Sequence, residues 1–229
     1  MHENNREADQ DDATLRLSID CKATVKIGEF ARQGKSRQKT EALDHDFGGE
    51  SVVPFGILLP ETKESYLYMT TSKATSDFMA DCLTECILQK QQENPELKKV
   101  VINADNGPEN SGSRTQWLKR IIELSDQTGL TIKLAYYPPY HSKYNPVERL
   151  WGVLEKHWGG ELLTSLEKVV GLASTMTYAG LYPVVKTLQK EYQTGVTVSK
   201  EVMTKEIEPR LSRLEGLKKW FIDINPVKF

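Results

Sequence analysis

An alternating pattern of apolar and polar residues begins at Thr14 and predicts a β-strand. The apolar residues that would share one face are Leu15, Leu17, Ile19, Cys21 and Ala23. The positions between them are polar, so Asp20 is expected on the polar face of this strand. A second apolar run at residues 24–30 predicts a hairpin partner for the first strand, and a third strand is predicted at residues 66–71.

Helices and strands alternate in the pattern that follows. Apolar residues recur at helical spacing in three segments, which are residues 76–87, 113–124 and 146–158. Between these segments, the runs 99–104 and 130–137 predict two more strands. The order of three strands, helix, strand, helix, strand, helix favours an α/β fold with a mixed five-stranded sheet flanked by helices.

Asp105 lies where the fourth predicted strand ends. By itself the segment Asp105-Asn106-Gly107 would also suit a hairpin turn. Ser113 and Gln116 have the spacing of a capping box, so a helix is expected to follow, which argues against a hairpin. Asp105 is therefore expected at the carboxyl end of a strand that leads into a helix.

The segment from Pro138 to Trp151 predicts a rigid loop that delivers a carboxylate at the start of a helix. Asn145 has the position of an N-cap and Pro146 that of the first helical residue, so Glu148 would be the third. On this local pattern alone, Glu148 could simply be the capping-box partner of Asn145. The apolar stripe expected to be buried is Val147, Leu150, Trp151, Leu154 and Trp158.

Three carboxylates, Asp20, Asp105 and Glu148, are thus expected at the ends of neighbouring elements. In open α/β sheets, functional groups gather at strand ends and in the crevice between adjacent units, so these three could converge. Three oxygen ligands of this kind suit Mg²⁺ or Mn²⁺ better than zinc. The segment Asp44-His45-Asp46 is interpreted as a solvated turn and is left outside the site.

The composition of the chain excludes fewer classes of function than the motifs do. The chain has 229 residues, 38% of them hydrophobic and 27% charged, and its formal net charge is -2. Residues 1–13 are acidic and expected to be disordered, whereas residues 22–39 are basic. Cys82 and Cys86 are expected to be small buried residues, although a half metal site is the alternative. No apolar run has the length of a membrane span and no signal peptide is evident, so a reduced cytoplasmic protein is expected.

These residues together carry a family resemblance. The strand order, the aspartate that ends the first strand, the Asp105-Asn106-Gly107 segment, and the run Pro-Pro-Tyr-His-Ser-Lys-Tyr-Asn-Pro-Val-Glu-Arg-Leu-Trp at residues 138–151 resemble the DDE catalytic domain of insertion-sequence transposases. The similarity points to the Rhodopirellula-type DDE transposases, within a broader mariner-like superfamily. It implies a ribonuclease-H-like domain at residues 14–160 that cleaves DNA and transfers its strands.

The resemblance also implies roles for individual residues. Asp20, Asp105 and Glu148 would be the catalytic ligands of two divalent ions, Mg²⁺ or Mn²⁺, and Asp20 would bridge the two. DNA would be the partner, and formation of a homodimer is left open. The basic residues that could contact DNA phosphates are Lys35, Arg37, His141, Lys143 and Arg149.

The rest of the chain leaves two matters open. Such transposases usually carry a helix-turn-helix region that reads the element ends, and nothing before Leu15 fits one, so a catalytic fragment or a decayed copy is expected. Residues 161–229 are expected to form a helical extension. A non-catalytic DNA-binding or regulatory remnant is the alternative function, whereas a sugar or acetate kinase is disfavoured because no glycine-rich phosphate loop is present.

Overall fold

The structure, a computed structural model, describes residues 1–30, 49–138 and 144–227. Its strands are β1 (Thr14–Cys21), β2 (Val25–Lys26), β3 (Ser51–Leu58), β4 (Ser65–Thr70), β5 (Lys99–Ala104), β6 (Thr131–Tyr136), β7 (Val184–Thr187), β8 (Leu211–Arg213) and β9 (Phe221–Ile224). Its helices are α1 (His2–Asp9), α2 (Ser76–Glu93), α3 (Thr115–Thr128), α4 (Val147–His157), α5 (Leu166–Thr175) and α6 (Lys200–Val202), the last continued by a π-helical turn (Met203–Ile207) and a 3-10 turn (Glu208–Arg210). None of the helices in these ranges is long and apolar enough to cross a membrane.

One mixed sheet connects the described strands in the order β7-β4-β3-β1-β5-β6-β9-β8. β1 pairs antiparallel with β3 on one side and parallel with β5 on the other. The short strand β2 pairs with β3 outside this order. The predicted α/β class with a mixed sheet is confirmed, but the sheet has nine strands among the described residues and not five.

The strand that neighbours β1 is not the predicted one. The hairpin expected between residues 15–23 and 24–30 is wrong, because β3 pairs with β1 and residues 25 and 26 pair with β3. β3 was not predicted because it contains Pro54 and Gly56, and both residue types normally interrupt strands. Pro54 lies beyond Cys21, the last residue of β1 in the β1–β3 register, so its missing N–H breaks no hydrogen bond within that register.

Helices cover both faces of the sheet. α2 and α3 contribute Phe78 and Trp117 to a core on one face, and Cys82 and Cys86 are buried there as free thiols. α4 and α5 form a second core with β3 and β4 on the opposite face. Because side chains alternate along a strand, β1 sends its apolar residues into the first core and presents Ser18 and Asp20 toward α4.

The N-terminal segment has structure where disorder was predicted. Residues 2–9 form α1, and Ala8 packs against Val101 and Ala135 of the sheet. The carboxylate of Asp9 accepts two hydrogen bonds from the Arg16 guanidinium, at 2.5 and 2.7 Å. The acidic composition suggested disorder. Composition could not show the contacts that order this segment, because they are made to strands elsewhere in the chain.

The C-terminal segment is also less helical than predicted. α5 and α6 are helices, but β7, β8 and β9 are strands of the main sheet. β7 extends the sheet beside β4, and β9 pairs antiparallel with β6. Residues 161–227 therefore complete the sheet on both sides, which periodicity within the segment could not reveal.

Candidate active site

Asp20 and Asp105 end two adjacent parallel strands. In the register of β1 and β5, Ser18 lies opposite Asn103, and each aspartate lies two residues beyond that pair. Asp20 is the penultimate residue of β1, whereas Asp105 directly follows β5. The register therefore brings both carboxylates to the same edge of the sheet, as the sequence predicted.

Glu148 reaches this edge from α4, but the predicted capping box is not formed. The helix begins at Val147, no side chain of the preceding residue caps it, and Glu148 is its second residue. The side chain of Asn145 is turned toward β1, where its Nδ2 donates to the Ile19 carbonyl at 2.9 Å. The local pattern assigned Asn145 to its own helix, whereas its hydrogen bonds are made to a distant strand.

Ser18 completes the junction between β1 and α4. Its Oγ donates to Asn145 Oδ1 at 2.5 Å and accepts from the Val147 N–H at 3.0 Å. Ser18 thus satisfies a free N–H of the first turn of α4 from a neighbouring strand. Because Ser18 lies two residues before Asp20 and Val147 directly precedes Glu148, these bonds fix one carboxylate relative to the other.

A hydrogen bond also joins Asp20 directly to α4. The Trp151 indole Nε1 donates to Asp20 Oδ2 at 2.8 Å. Trp151 was predicted only as part of the buried stripe, and all five residues of that stripe are indeed buried. The polar function of its indole was missed, since helical spacing shows that a residue is buried but not what its polar atom contacts.

Asp105 lies in a loop that orders its side chain. Asn110 is 4% exposed, and its Nδ2 donates to Asp105 Oδ1 at 3.1 Å. A cavity of about 230 Å³ adjoins this loop and is lined by residues that include Asp20, Asp105 and Asn110. Asn110 Oδ1 has no hydrogen-bond partner in the described part of the chain, so one polar atom of the cavity wall is left unsatisfied.

The three carboxylates interact electrostatically. Burial raises the pKa of Asp20 to about 7, and the charges of Glu148 and Asp105 add to the rise while the Trp151 hydrogen bond opposes it. Burial and the charge of Asp105 also raise the pKa of Glu148, which nearby Lys22 lowers. The ionised forms are disfavoured because like charges are held together in a partly dry site, and a bound cation would relieve that repulsion.

Comparison of the sequence with known protein families identifies the family of this chain. The profile of the Rhodopirellula transposase DDE domain matches residues 1–226. The chain belongs to that family. The resemblance seen in the sequence is confirmed, and membership implies the use of divalent metal ions.

A solved transposase shares the fold of this DDE domain. The chain is similar to the Mos1 transposase in a structure described as a paired-end complex with the left transposon end, at 12% identity and a TM-score of 0.51. The match covers 72% of this chain and 48% of that one, so the chain spans about half the length of that transposase. A search of the curated proteins found no match.

The carboxylates of Asp20, Asp105 and Glu148 interact electrostatically but do not form a metal cage. In residues 1–30, 49–138 and 144–227, no group of three or more histidine, cysteine, aspartate or glutamate side chains is arranged to hold a metal ion. The donor set nevertheless fits a divalent cation, because the candidate ligands are carboxylates and nearby negative charges raise the pKa of Asp20 and of Glu148. A bound cation would offset that repulsion.

The predicted DNA contacts are only partly described. Arg149 is exposed on α4 next to Glu148. Lys35, Arg37, His141 and Lys143 lie outside the described residues, as does the segment Asp44-His45-Asp46. Sequence patterns did not predict the contacts that Ser18, Gly56, Asn110, Asn145 and Trp151 make at this site, because each contact joins residues that are distant in sequence or lies within a loop.

Proposed function

We propose that this DDE domain is the catalytic part of a DNA transposase, which cleaves phosphodiester bonds and transfers the resulting strands with divalent metal ions. The observation that supports this most is that Asp20, Asp105 and Glu148 lie at one edge of the sheet, where the charge of Asp105 raises the pKa of both Asp20 and Glu148. A scaffold that held three carboxylates together with no cation to bind would lose stability without gaining anything.

Asp20, Asp105 and Glu148 would hold two divalent ions, Mg²⁺ or Mn²⁺. Such ions, when bound, supply activation of a water or 3′-hydroxyl and stabilisation of the leaving oxygen in an in-line displacement. The protein contributes ligands and their orientation: β1 and β5 carry the aspartates, and the bonds of Ser18 and Asn145 set the start of α4. Because the pKa of Asp20 is about 7 without a cation, binding below that pH would release a proton.

DNA is the proposed substrate, and exposed Arg149 beside Glu148 is placed to contact a phosphate. Lys35, Arg37, His141 and Lys143 remain proposed contacts on the basis of charge alone. The Mos1 structure is described as a paired-end complex, which supports the proposal that two copies of this chain act together as a homodimer. A DNA substrate also agrees with the expected cytoplasmic location.

Nicking of supercoiled plasmid tests the proposal. At low salt with Mn²⁺, the wild type should convert supercoiled plasmid to the open circular form, and the rate should fall steeply as salt rises, since phosphate contacts are lost by competition with ions. Glu148→Gln keeps the size of the side chain and removes its charge, so nicking should be lost. The matched control is Glu96→Gln. Glu96 is exposed and precedes the first residue of β5, far from the end that leads to Asp105, so this variant should nick like wild type.

The outcomes separate the enzyme from the alternative. Nicking that persists in a folded Glu148→Gln protein would point to a contaminating nuclease and contradict the assignment. Absence of nicking by the wild type with Mg²⁺ and with Mn²⁺ would favour a non-catalytic DNA-binding or regulatory protein, which should then still bind DNA in a salt-dependent manner.

A further inference from the structure

The contact between Trp151 and Asp20 is more specific than packing requires. Trp151 is 6% exposed and belongs to the core formed by α4, α5 and the sheet, where any large apolar side chain could fill space. A buried indole N–H needs an acceptor, and here the acceptor is Asp20 Oδ2 at 2.8 Å. The acceptor is therefore one of the three residues proposed to carry the chemistry.

Gly56 makes this contact possible. It lies directly opposite Asp20 in the antiparallel register of β1 and β3. A Cβ added at Gly56 would lie 2.7 Å from Trp151 Cη2 and 2.8 Å from Cζ2, closer than non-bonded carbons approach one another. The indole ring thus occupies the space that a side chain on the neighbouring strand would fill, and from there its N–H reaches the carboxylate.

The geometry links two carboxylates through one helix. Trp151 follows Glu148 by three residues, so both lie on adjacent turns of the same side of α4. An unrestrained aspartate carboxylate rotates about its terminal torsion, which has broad minima. The Trp151 donor on Oδ2 restrains the plane of the Asp20 carboxylate relative to the helix that carries Glu148.

We propose that Trp151, seated on Gly56, is a positioning residue that orients the Asp20 carboxylate for divalent metal binding. The inference rests on the proposed function, since it assumes that Asp20 is a metal ligand. Partners that orient a metal ligand through a hydrogen bond commonly change metal affinity when they are lost. Trp151 acts through Asp20 and contacts neither metal nor substrate itself.

Trp151→Phe is the direct test, because it keeps an aromatic ring in the core while it removes the N–H donor and part of the indole volume. Calorimetric titration should show Mn²⁺ binding weakened by about 10-fold to 100-fold, as for other partners that orient metal ligands. The matched control is Trp158→Phe, which removes a buried indole that donates to Glu155 Oε2 at 2.8 Å at the other end of α4. That variant should bind Mn²⁺ like wild type.

A spectroscopic measurement separates orientation from general loss of structure. In protein labelled with ¹⁵N-tryptophan, the Trp151 indole signal, assigned by its absence from Trp151→Phe, should shift when Mg²⁺ binds. The Trp158 signal should not shift. A purely structural role for Trp151 predicts no metal-dependent change in its indole resonance and equal losses of metal affinity in both variants.

Gly56→Ala provides an independent test through the ring position. The added methyl group should displace the indole and weaken Mn²⁺ binding in the wild-type background. In the Trp151→Phe background the same change should have a smaller effect, because the N–H contact is already gone and coupled residues are not additive.

The results distinguish failure of this inference from failure of the proposed function. If Trp151→Phe binds Mn²⁺ as tightly as wild type while Asp20→Asn does not, the positioning role is overturned and the metal site stands. If the wild type binds neither Mn²⁺ nor Mg²⁺, both proposals are overturned.

Discussion

Asp20 combines burial, a hydrogen-bond donor and two negatively charged neighbours. Burial together with Glu148 and Asp105 raises its pKa to about 7, whereas the Trp151 N–H favours the ionised form. These opposing influences leave Asp20 able to take up either a proton or a cation near neutral pH. A residue in this state is a better candidate for the centre of the site than the less deeply buried Glu148, which the sequence motif emphasised.

Substitution of Asp20 should therefore abolish stabilisation by metal. A ligand that binds only the native state at 100 times its Kd stabilises it by about 2.7 kcal/mol, which for a domain of this size corresponds to a Tm increase of about 5–10 °C. Saturating Mg²⁺ or Mn²⁺ should produce a rise of that order in the wild type and none in Asp20→Asn, as measured by differential scanning fluorimetry. Asp12→Asn, an exposed acidic residue outside the site, should respond like wild type.

Equal Mn²⁺ binding by wild type and Asp20→Asn in a calorimetric titration would contradict this assignment. A stabilisation that also appears in Asp20→Asn at the same metal concentration would indicate binding elsewhere on the acidic surface.

At the scale of elements, the sequence predicted those strands and helix ends that are determined by neighbouring residues in the chain. The strand that ends at Asp105 was predicted because a β-branched run is followed by a turn and a helix. The start of α4 was predicted to within one residue because Pro146 suits a helix start. Glu148 was accordingly placed in the first turn of the correct helix.

Parts whose cause is a distant contact were not predicted. Asn145 was interpreted as a cap, yet its partners are Ser18 and Ile19, on a strand far away in sequence. β3 was not predicted because glycine normally interrupts strands. The sequence does not show that the Trp151 ring occupies the space beside Gly56. Local rules contain no term for such contacts, so tertiary structure overrides them most where elements meet at the site.

An ion pair between α3 and the C-terminal strands gives the fold a defined response to acid. Arg210 donates to both carboxylate oxygens of Asp126, at 3.1 and 2.6 Å, and the Val227 N–H donates to the same group. The Arg210 hydrogen bonds hold the pKa of Asp126 below its usual value. A carboxylate with a lowered pKa stabilises the folded state above its ordinary pKa, and this contribution is lost as pH falls through the lowered value.

Asp126→Asn should accordingly cost roughly 1 kcal/mol or less at pH 7, the range for a partly exposed ion pair. The difference from wild type should shrink below about pH 4, where Asp126 becomes protonated first in the unfolded chain, and should disappear as pH falls through the lowered pKa of the folded state. Urea denaturation of both proteins at several pH values measures this difference. A stability difference that stays constant down to pH 3 would show that the charge of Asp126 is not what matters.

At the scale of the whole molecule, the C-terminal segment completes both sides of the sheet that carries the candidate site. β7 lies outside β4, and β9 covers the side of β6 that faces away from β5. Ile222 and Ile224 are fully buried, as are Val169 and Ala173 beneath α4. Residues on both sides of the predicted boundary at residue 160 pack in the core that α4 shares with α5, whereas α1 at the other end adds one buried side chain and one ion pair.

Two truncations should distinguish these contributions. A chain that ends at residue 160 loses several buried aliphatic side chains, each worth about 1.5–3 kcal/mol, and their sum approaches the roughly 5–15 kcal/mol by which domains are stable. It should show no cooperative thermal transition and should aggregate through the exposed edges of β4 and β6. A chain of residues 14–229 loses α1 and the turn at residues 10–13 and should remain a folded protein with metal-dependent stabilisation. Size-exclusion chromatography and thermal unfolding followed by circular dichroism measure both, and a soluble 1–160 fragment with a sharp transition would restore the boundary that periodicity suggested.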